Sequence, residues 1–433
     1  MKLTGNHISG YLSLNISKLY HADIDLNLFF ERSLTREFDF KVVLDHIIRN
    51  PEPQFVRIKD FTIPLFFYHS KEKEKISDFT LEEIAVNAFL LLSGWQEIVI
   101  NERDMHGRFP FKESLQAKFS FQFVPVVNVL FEEICHRINK EGYICSPKKF
   151  SKSGSNIIFS HDIDRIYSGW YEATGNLLRK PGLARLSKWM RISYAKVFNN
   201  EDDYQKGFVR LLDLLKISDV KSVFFFLANK SADDADYNLT DTFIRKIFLE
   251  LLNAGHLPGI HLGFDTFQSP DLMKAQIAHV ENAFEAKIER NRQHFLKFDM
   301  NSTPEYLLSA GIRYDYSLGF AESPGFRNSI ATPFFPLNFK TNEAFHLVEI
   351  PLFFMDGTYS HYQKDERARM TNPLEVLSEY ADSVNFNFSV LFHNSVFTDF
   401  KYEGFTGLFE EMVSWCRKND FSTDAQVIWP VID

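Results

Sequence analysis

Hydrophobic and polar positions follow two different patterns along this chain. Before residue 150, short β-like runs such as Phe55-Val56-Arg57-Ile58 are mixed with helical spacing over residues 81–95 and 125–140. From residue 156 onward, apolar runs of strand length alternate with amphipathic segments such as 242–253 and 272–287. This alternation predicts an α/β protein, with a parallel sheet or barrel and helices outside it.

A polar break separates the two patterns. Ser146-Pro147-Lys148-Lys149 and the serine-rich stretch after it carry no apolar periodicity. We therefore expect a smaller N-terminal α/β domain over residues 1–150, whose role the sequence does not indicate. A second domain is expected over residues 151–433.

Composition and charge narrow the class of protein. Hydrophobic residues make up 45% and charged residues 24% of the 433 residues, which is typical of a globular chain with an ample core. Acidic residues outnumber basic ones, 57 against 48, so we expect no nucleic-acid partner. Cys135, Cys145 and Cys416 have no metal-binding spacing and are expected to be buried thiols. No transmembrane or signal segment is apparent, and a cytoplasmic location is expected.

An inserted basic segment at residues 167–205 separates the first strand of the second domain from the next. Residues 173–200 contain no acidic residue but six basic ones, with aromatic residues interleaved. One interpretation is a solvated basic helix that packs its aromatic side chains on the barrel. The other is peripheral contact with an anionic glycan, lipid headgroup or membrane surface.

Polar residues follow several of the predicted strands. Asp162 and Asp164 lie in the segment Ser160 to Asp164, which follows the apolar run Ile157-Ile158-Phe159, and His261 and His393 each end another apolar run. The carboxyl ends of parallel strands converge on one face of a barrel, so these side chains are expected to meet. One carboxylate can then bind a metal while the other takes a proton.

The order of these motifs resembles the polysaccharide deacetylase family, the carbohydrate esterase 4-like proteins of NodB homology. The resemblance covers residues 156–420 and looks most like a bacterial branch with an extra N-terminal domain. Five segments carry it: Phe159 to Asp164, Ser222-Val223-Phe224-Phe225, Gly255 to His261, the degraded match Arg292 to Phe295, and Leu391-Phe392-His393.

This resemblance implies a distorted (β/α) barrel of about seven strands. It also implies metal-dependent removal of an acetyl group from an amino-sugar glycan or glycan precursor, in cell-surface polysaccharide or lipopolysaccharide biosynthesis. By the same resemblance, Asp162 would be the general base, Arg292 would orient it and His393 would be the general acid. Asp164 and His261 would bind a divalent metal, zinc before cobalt, nickel or manganese.

One position departs from the family pattern. The second metal histidine of the family lies four residues after the first, where this chain has Asp265. Asp265 is expected either to be the third ligand, since carboxylates bind zinc and harder metals, or to cap the following turn. The substrate is expected to be an acetylated sugar or polysaccharide. The resemblance implies that the backbone N–H of Phe295 helps to bind the oxyanion, and His294 is expected to contribute to the site. The loop Gly325-Phe326-Arg327 is expected either to hold the substrate through Arg327 or to be a plain turn.

Two alternatives remain open from the sequence. The barrel could be an inactive glycan-binding protein that lost its metal together with the histidine. It could also be a metal-independent hydrolase of C–N bonds on a small amide. The sequence leaves the oligomeric state undetermined.

Overall fold

The computed structural model describes residues 2–34, 39–58, 61–152, 154–363, 372–398, 402 and 404–430. Within these residues the strands, β1 to β14 in chain order, are Tyr20–Ala22, Gln54–Ile58, Phe61–Leu65, Cys145–Pro147, Asn156–Ile163, Val223–Leu227, Leu257–Leu262, Arg290–Gln293, Tyr314–Asp315, Leu337–Asn338, Glu343–Ala344, Val348–Glu349, Leu352–Met355 and Asn387–Leu391. The α-helices, α1 to α14, are Gly5–Leu19, Leu26–Glu31, Phe40–Arg49, Leu81–Leu92, Gln96–Val99, Leu115–Lys118, Val126–Lys140, Gly169–Arg179, Leu183–Phe198, Asp203–Ile217, Thr242–Asn253, Pro270–Phe284, Thr303–Ser309 and Phe405–Lys418.

A parallel sheet of eight described strands organises residues 156–391. Its order is β12-β9-β8-β7-β6-β5-β14-β13, and every neighbouring pair is parallel. β5 and β6 are buried along their whole length, as expected for parallel strands covered on both faces. The sheet confirms the predicted α/β barrel class.

The phenylalanine run of β6 shows how both faces are filled. Val223 and Phe225 belong to an apolar cluster inside the barrel, together with Tyr316 and Ile350. The alternate Phe226 points the other way, and its ring lies 5.8 Å from that of Phe248 on α11. Because side chains alternate along a strand, one continuous apolar run supplies both the interior and the helix-facing core.

The barrel closes through a single bent segment of chain. β12 and β13 form the two edges of the sheet, yet only Ile350 and Pro351 separate them. The N–H of Ile350 donates to the backbone carbonyl of Asp315 on β9, next to one edge (2.8 Å), and the carbonyl of Pro351 accepts from the N–H of Ser389 on β14, next to the other (2.7 Å). Residues 348–355 therefore act as one kinked strand shared by both edges, which reconciles eight strands with the predicted seven.

The predicted helices of this region are present with small shifts at their ends. The segment 242–253 is observed as predicted, and the segment predicted at 272–287 spans Pro270–Phe284. Ile244, Ile247, Phe248 and Leu251 form the buried face of α11. These residues recur at helical spacing, which is why the apolar pattern located the helix.

The N-terminal helices and two small antiparallel sheets share one apolar core with the barrel. Buried polar contacts also cross between them: the Glu97 carboxylate accepts two hydrogen bonds from Arg327 (2.7 and 2.6 Å). The side chain of Asn128 accepts from the N–H of Ala331 (2.8 Å). The division near residue 150 stays a prediction, because the core is continuous across it.

No described helix combines the length and apolar character needed to cross a bilayer. The predicted basic insertion contains the helices α8 and α9 and the start of α10. Cys135, Cys145 and Cys416 are buried free thiols, as expected.

Two acidic side chains are buried together beside the edge strand β12. Glu349 and Asp315 are both fully buried, and Asp315 also accepts hydrogen bonds from Asn291 (2.6 Å) and from the Ser317 hydroxyl (3.0 Å). Burial raises the pKa of Asp315, and burial together with the neighbouring Asp315 raises the pKa of Glu349 well above its ordinary value. Glu349 is therefore expected to carry a proton in the folded protein.

We predict that replacing Glu349 by glutamine changes the pH dependence of stability. Relative to the wild type, the free energy of unfolding of Glu349→Gln should be higher at about pH 8 than at about pH 5. A carboxyl whose folded pKa is raised contributes stability below its ordinary pKa and loses it as the pH rises through the raised value. The neutral amide does not titrate, so the variant should gain at least about 1 kcal/mol on the wild type over this range, equivalent to about one pKa unit.

Chemical denaturation at both pH values measures this difference. Glu343→Gln, which changes an exposed carboxylate in the same region, is the matched control and should show no such gain. An equal pH dependence for wild type and Glu349→Gln would contradict the prediction.

Candidate active site

The carboxyl ends of four barrel strands bring the predicted chemistry into one cavity of about 340 Å³. Asp162 is near the end of β5, and Asp164 follows it. His261 lies at the end of β7, His294 follows β8 and His393 follows β14. All five side chains line the cavity. The expectation that strand ends converge thus holds in the structure.

Asp162 forms a buried ion pair with Arg292. The guanidinium donates to the Asp162 carboxylate (Nη1 to Oδ1, 2.9 Å) and to the Ser160 hydroxyl (2.9 Å). Burial alone would raise the pKa of Asp162, but Arg292, His261 and His393 outweigh burial and lower it. Asp162 is therefore a carboxylate at neutral pH, with its second oxygen 3.4 Å from Nε2 of His261.

Asp164, His261 and His294 form a group with the geometry of a metal site. Each offers one ligand atom, and these atoms all lie within 4.8 Å of one another. Oδ1 of Asp164 is buried and has no hydrogen-bond partner, which is costly unless a cation binds there. Two nitrogens and one carboxylate oxygen are a common ligand set for zinc and related metals. The residues present fit a divalent metal.

Hydrogen bonds at Nδ1, the ring nitrogen that points away from Asp164, orient both His261 and His294. Nδ1 of His261 lies 2.8 Å from the Arg292 carbonyl, and Nδ1 of His294 lies 3.0 Å from Oδ1 of Asp234. This leaves Nε2 of each ring on the side of Asp164, at 3.7 and 3.9 Å. Burial lowers the pKa of His261 although Asp162 and Asp164 oppose it, so the ring is neutral and able to bind a metal.

Asp265 does not belong to this group, which corrects its expected role as third ligand. It is exposed on the short 3-10 helix Phe264–Thr266 after β7. The N–H of Phe264 donates to Asp234 (2.9 Å), and this contact fixes the turn with Asp265 outside the cavity. His294, expected to contact substrate, occupies the third corner instead.

His393 is paired with a carboxylate that the sequence reasoning missed. Asp356, fully buried directly after β13, accepts from the backbone N–H of His393 (2.8 Å) and lies 2.6 Å from its Nδ1. Burial favours the neutral ring, but Asp356, Asp164 and Asp162 outweigh it and raise the pKa of His393 to about 10. His393 is therefore protonated at neutral pH, with Nε2 facing Asp164 at 3.6 Å.

Arg327 lies elsewhere, which corrects its expected role in substrate binding. Its guanidinium is buried, binds Glu97 through two hydrogen bonds and donates to the Gly319 carbonyl (3.3 Å). It therefore joins the barrel to the N-terminal region. Phe295 does line the cavity and is 37% exposed, but the role of its N–H stays a prediction.

Arg108 in the N-terminal region also lines the cavity. Asp234 and Asp356 were missed because each contacts its histidine across 60 and 37 residues of chain. Asp356 had one usable signal, since it follows a buried strand as Asp164 does. Asp234 lies in an irregular loop and had none.

Fold and site together define a parallel (β/α) barrel with an Asp-His-His group and two ionised pairs at the carboxyl ends of its strands. Residues 16–143 match a family of unknown function, DUF7033. No curated protein matches the sequence.

Solved structures similar to this chain include polysaccharide deacetylases. One is a putative polysaccharide deacetylase from Mycobacterium smegmatis, with 15% identity, a TM-score of 0.38, and 63% of this chain and 87% of that one covered. Another is a probable polysaccharide deacetylase from Pseudomonas aeruginosa PAO1, with 12% identity, a TM-score of 0.40, and 65% and 93% covered. A Puue allantoinase has 13% identity, a TM-score of 0.41, and 65% and 92% covered. Similarities at this level carry no argument about activity, which rests on the site itself.

We predict that His294→Ala removes metal binding whereas Asp265→Asn retains it. The first change deletes a ligand of the Asp-His-His group, and the second alters an exposed carboxylate. Loss of one of three ligands should weaken zinc binding by at least about 100-fold, the upper end of the effect of removing a supporting residue. Metal content after dialysis, measured by elemental analysis, checks both variants.

The reverse result, with Asp265→Asn losing the metal and His294→Ala keeping it, would restore the ligand set expected from the sequence. Wild-type protein that retains no divalent metal would contradict the site altogether.

Proposed function

We propose that this chain is a metal-dependent hydrolase that removes an acetyl group from an amino-sugar glycan or glycan precursor. One observation carries the proposal: a carboxylate base, a protonated histidine and a three-residue metal group line the same cavity. Amide hydrolysis needs an activated water, a polarised carbonyl and a proton for the leaving amine. The cavity offers a separate group for each.

Asp164, His261 and His294 would hold the metal. When bound, a divalent ion there supplies Lewis-acid activation of the acetyl carbonyl and of water. Zinc suits the ligand set best, with cobalt, nickel or manganese as substitutes.

Asp162 would accept the proton of the attacking water. Arg292 holds one of its oxygens at 2.9 Å and keeps it ionised, so the other oxygen remains available on the cavity side. Because the pair is fully buried, the carboxylate cannot rotate freely, and its orientation is set before substrate arrives.

His393 would donate a proton to the leaving nitrogen. Asp356 fixes the ring at Nδ1 and keeps it charged, so Nε2 faces the cavity as a donor. This separation of a low-pKa carboxylate from a high-pKa imidazole assigns base and acid to different residues.

The cavity is large enough to hold one acetylated sugar residue. At about 340 Å³ it lies near the lower end of the range for small-molecule sites. Tyr362 and Tyr402 line it beside the charged groups, and aromatic faces of this kind pack against sugar rings. We further propose that the reaction serves cell-surface polysaccharide or lipopolysaccharide biosynthesis, as the family resemblance implies.

The hypothesis of an inactive barrel was based on the missing second histidine. His294 offers an imidazole at that corner from a different strand, which supports an active enzyme over the inactive barrel. Small-amide hydrolysis is distinguished from glycan deacetylation by the preferred substrate.

We predict that Asp162→Asn abolishes acetate release while the protein keeps its metal. Asparagine preserves shape and a hydrogen-bond acceptor for Arg292 but cannot take a proton, and loss of a general base lowers the rate by about 10²–10⁴-fold. Acetate release from a panel of N-acetylated sugars, oligosaccharides and one small amide, with zinc, cobalt, nickel or manganese added, measures the effect. Asp265→Asn is the control and should retain activity.

Metal loss in Asp162→Asn would mean that the roles of Asp162 and Asp164 are exchanged. No acetate release from any glycan by the metal-loaded wild type would contradict the proposal, and turnover of the small amide alone would favour the alternative substrate.

A further inference from the structure

The helices α8 and α9 form a hairpin that projects from the barrel between β5 and β6. Two indole hydrogen bonds join the helices: Trp170 donates to the Ser193 hydroxyl, and Trp189 donates to the Thr174 hydroxyl, each at 2.9 Å. Along the sixteen residues of α9, Ala195 is the one buried side chain. The hairpin is thus internally ordered but buries little against the barrel.

The outward face of α9 is apolar. Its residues recur at intervals of three and four, which places them in a single stripe: Leu183, Leu186, Met190, Tyr194 and Val197. They are 88, 40, 54, 62 and 71% exposed, and Leu178 beside the hairpin turn is 78% exposed. An amphipathic helix normally buries such a stripe, and a contiguous exposed one indicates an interaction surface.

Basic residues surround this apolar stripe. Residues 173–200 carry six positive and no negative charges, whereas the whole chain has a net charge of −9. Within the described residues, Arg179, Lys180, Arg185 and Arg191 form no ion pair, while Lys196 pairs with Asp202 (3.3 Å). Apolar side chains flanked by unpaired cations match the boundary between acyl chains and anionic headgroups.

The hairpin adjoins the candidate active site. Glu172 on α8 lines the catalytic cavity, and so do Ser395 and Val396. The next residues, Phe397 and Thr398, line a groove beneath α9. We propose that the hairpin of α8 and α9 binds the surface of a membrane containing anionic lipids, through the apolar stripe and its flanking cations.

Vesicle co-sedimentation of the full chain tests this. Vesicles of phosphatidylcholine mixed with phosphatidylglycerol should bind the protein, and phosphatidylcholine vesicles should bind it far less. Leu183→Ser with Arg185→Glu should weaken binding by about tenfold or more, because both the inserted side chain and the charge are lost. Leu272→Ser with Lys274→Glu, the same change on the exposed face of α12, is the matched control and should bind normally.

Absence of binding to the anionic vesicles, or an equal loss in the α12 control, would overturn the proposal. So would self-association of the chain through α9, seen by sedimentation and removed by the α9 substitutions, without vesicle binding. Equal binding to both vesicle types would overturn the role of the cations.

A second observation concerns a strained turn at the cavity. Phe295 and Leu296, directly after His294, both adopt left-handed backbone conformations (φ 59° and 55°), which L residues rarely occupy. Contacts with neighbouring residues must therefore stabilise the backbone of Phe295 and Leu296 in this conformation. Arg108 of the N-terminal region donates from Nη1 to the Phe295 carbonyl (2.9 Å), and the His106 ring lies 4.8 Å from the Phe295 ring.

Arg108 is itself firmly placed. Its Nε donates to Asp104 (2.7 Å), Nη2 donates to the Tyr362 hydroxyl (2.9 Å), and its side chain is buried. The Asp104 carboxylate also accepts from the backbone N–H groups of His106 and Arg108, each at 2.9 Å. A rigid turn of the DUF7033 region therefore reaches into the wall of the barrel cavity.

We infer that Arg108 is a positioning residue that holds the Phe295–Leu296 turn, and with it His294, in place for metal binding. This inference rests on the metal site of the proposed function. Under this inference, the region of this chain that matches DUF7033 contributes a residue that completes the active site of the barrel.

Hydrogen exchange over residues 293–298 and zinc affinity by chelator competition test it together. Arg108→Ala should speed exchange of this segment and weaken zinc binding by about tenfold, the lower end of supporting-residue effects, and Arg108→Lys should restore part of both. Arg103→Ala is the control. Arg103 also binds backbone carbonyls, those of Glu97, Ile100 and Glu102, but within the described part of the chain it forms no hydrogen bond with a residue that lines the cavity.

Unchanged exchange in Arg108→Ala, or an equal change in Arg103→Ala, would overturn the inference. Faster exchange in Arg108→Ala, combined with a wild type that binds no zinc, would support the role of Arg108 in holding the turn while contradicting the proposed metal-dependent function. The experiment therefore distinguishes failure of the inference from failure of the proposed function.

Discussion

Arg292 reaches from β8 to Asp162 on β5, although β6 and β7 lie between these strands in the sheet. The contact is made only if the sheet curls. Both side chains are almost fully buried, so each charge depends on the other, and removing one partner of such a pair typically costs about 3–5 kcal/mol. Arg292 also donates to Ser160 and to the Tyr316 carbonyl (3.1 Å) and lies over the Phe225 ring. Curvature, interior packing and the ionisation of Asp162 are thus set by one ion pair.

The sequence predicted those features of the site that depend on strand periodicity. Asp162, Asp164, His261 and His393 each follow an apolar run, and parallel strands oblige such residues to meet. The prediction that Asp265 binds the metal was wrong because it relied on spacing within one loop. The contact of Phe264 with Asp234 determines where that loop turns. Contacts of this kind join irregular segments far apart in the chain, and no local pattern records them. The sequence identified His294 as a site residue, but its role as a metal ligand could be assigned only once the position of its ring was known.

The N-terminal region was the least predictable part, because its contribution is made across an interface. Arg108 and Glu97 are both buried, and on the sequence Glu97 appears as an ordinary charge beside a helix and Arg108 as an ordinary charge in a polar turn. Arg327 illustrates the same point from the other side, since an arginine in a glycine-containing loop resembles a ligand-binding residue until its carboxylate partner is known. The buried Glu97–Arg327 ion pair crosses the interface, and so do the hydrogen bonds of Arg108 to the Phe295 carbonyl and the Tyr362 hydroxyl. In this respect the interface is more like the interior of one domain than a hinge between two.

The kinked strand from Val348 to Met355 has a consequence for how the barrel can open. In most closed sheets the first and last strands are distant in sequence and meet only through hydrogen bonds. Here the two edges are joined covalently, since Ile350 and Pro351 link them. Because the peptide backbone holds both edges together, the barrel can open only where the kinked strand loses its hydrogen bonds to β9 or to β14. A single nick at this seam would create two unprotected sheet edges at once, the kind of surface that recruits other chains into aggregates.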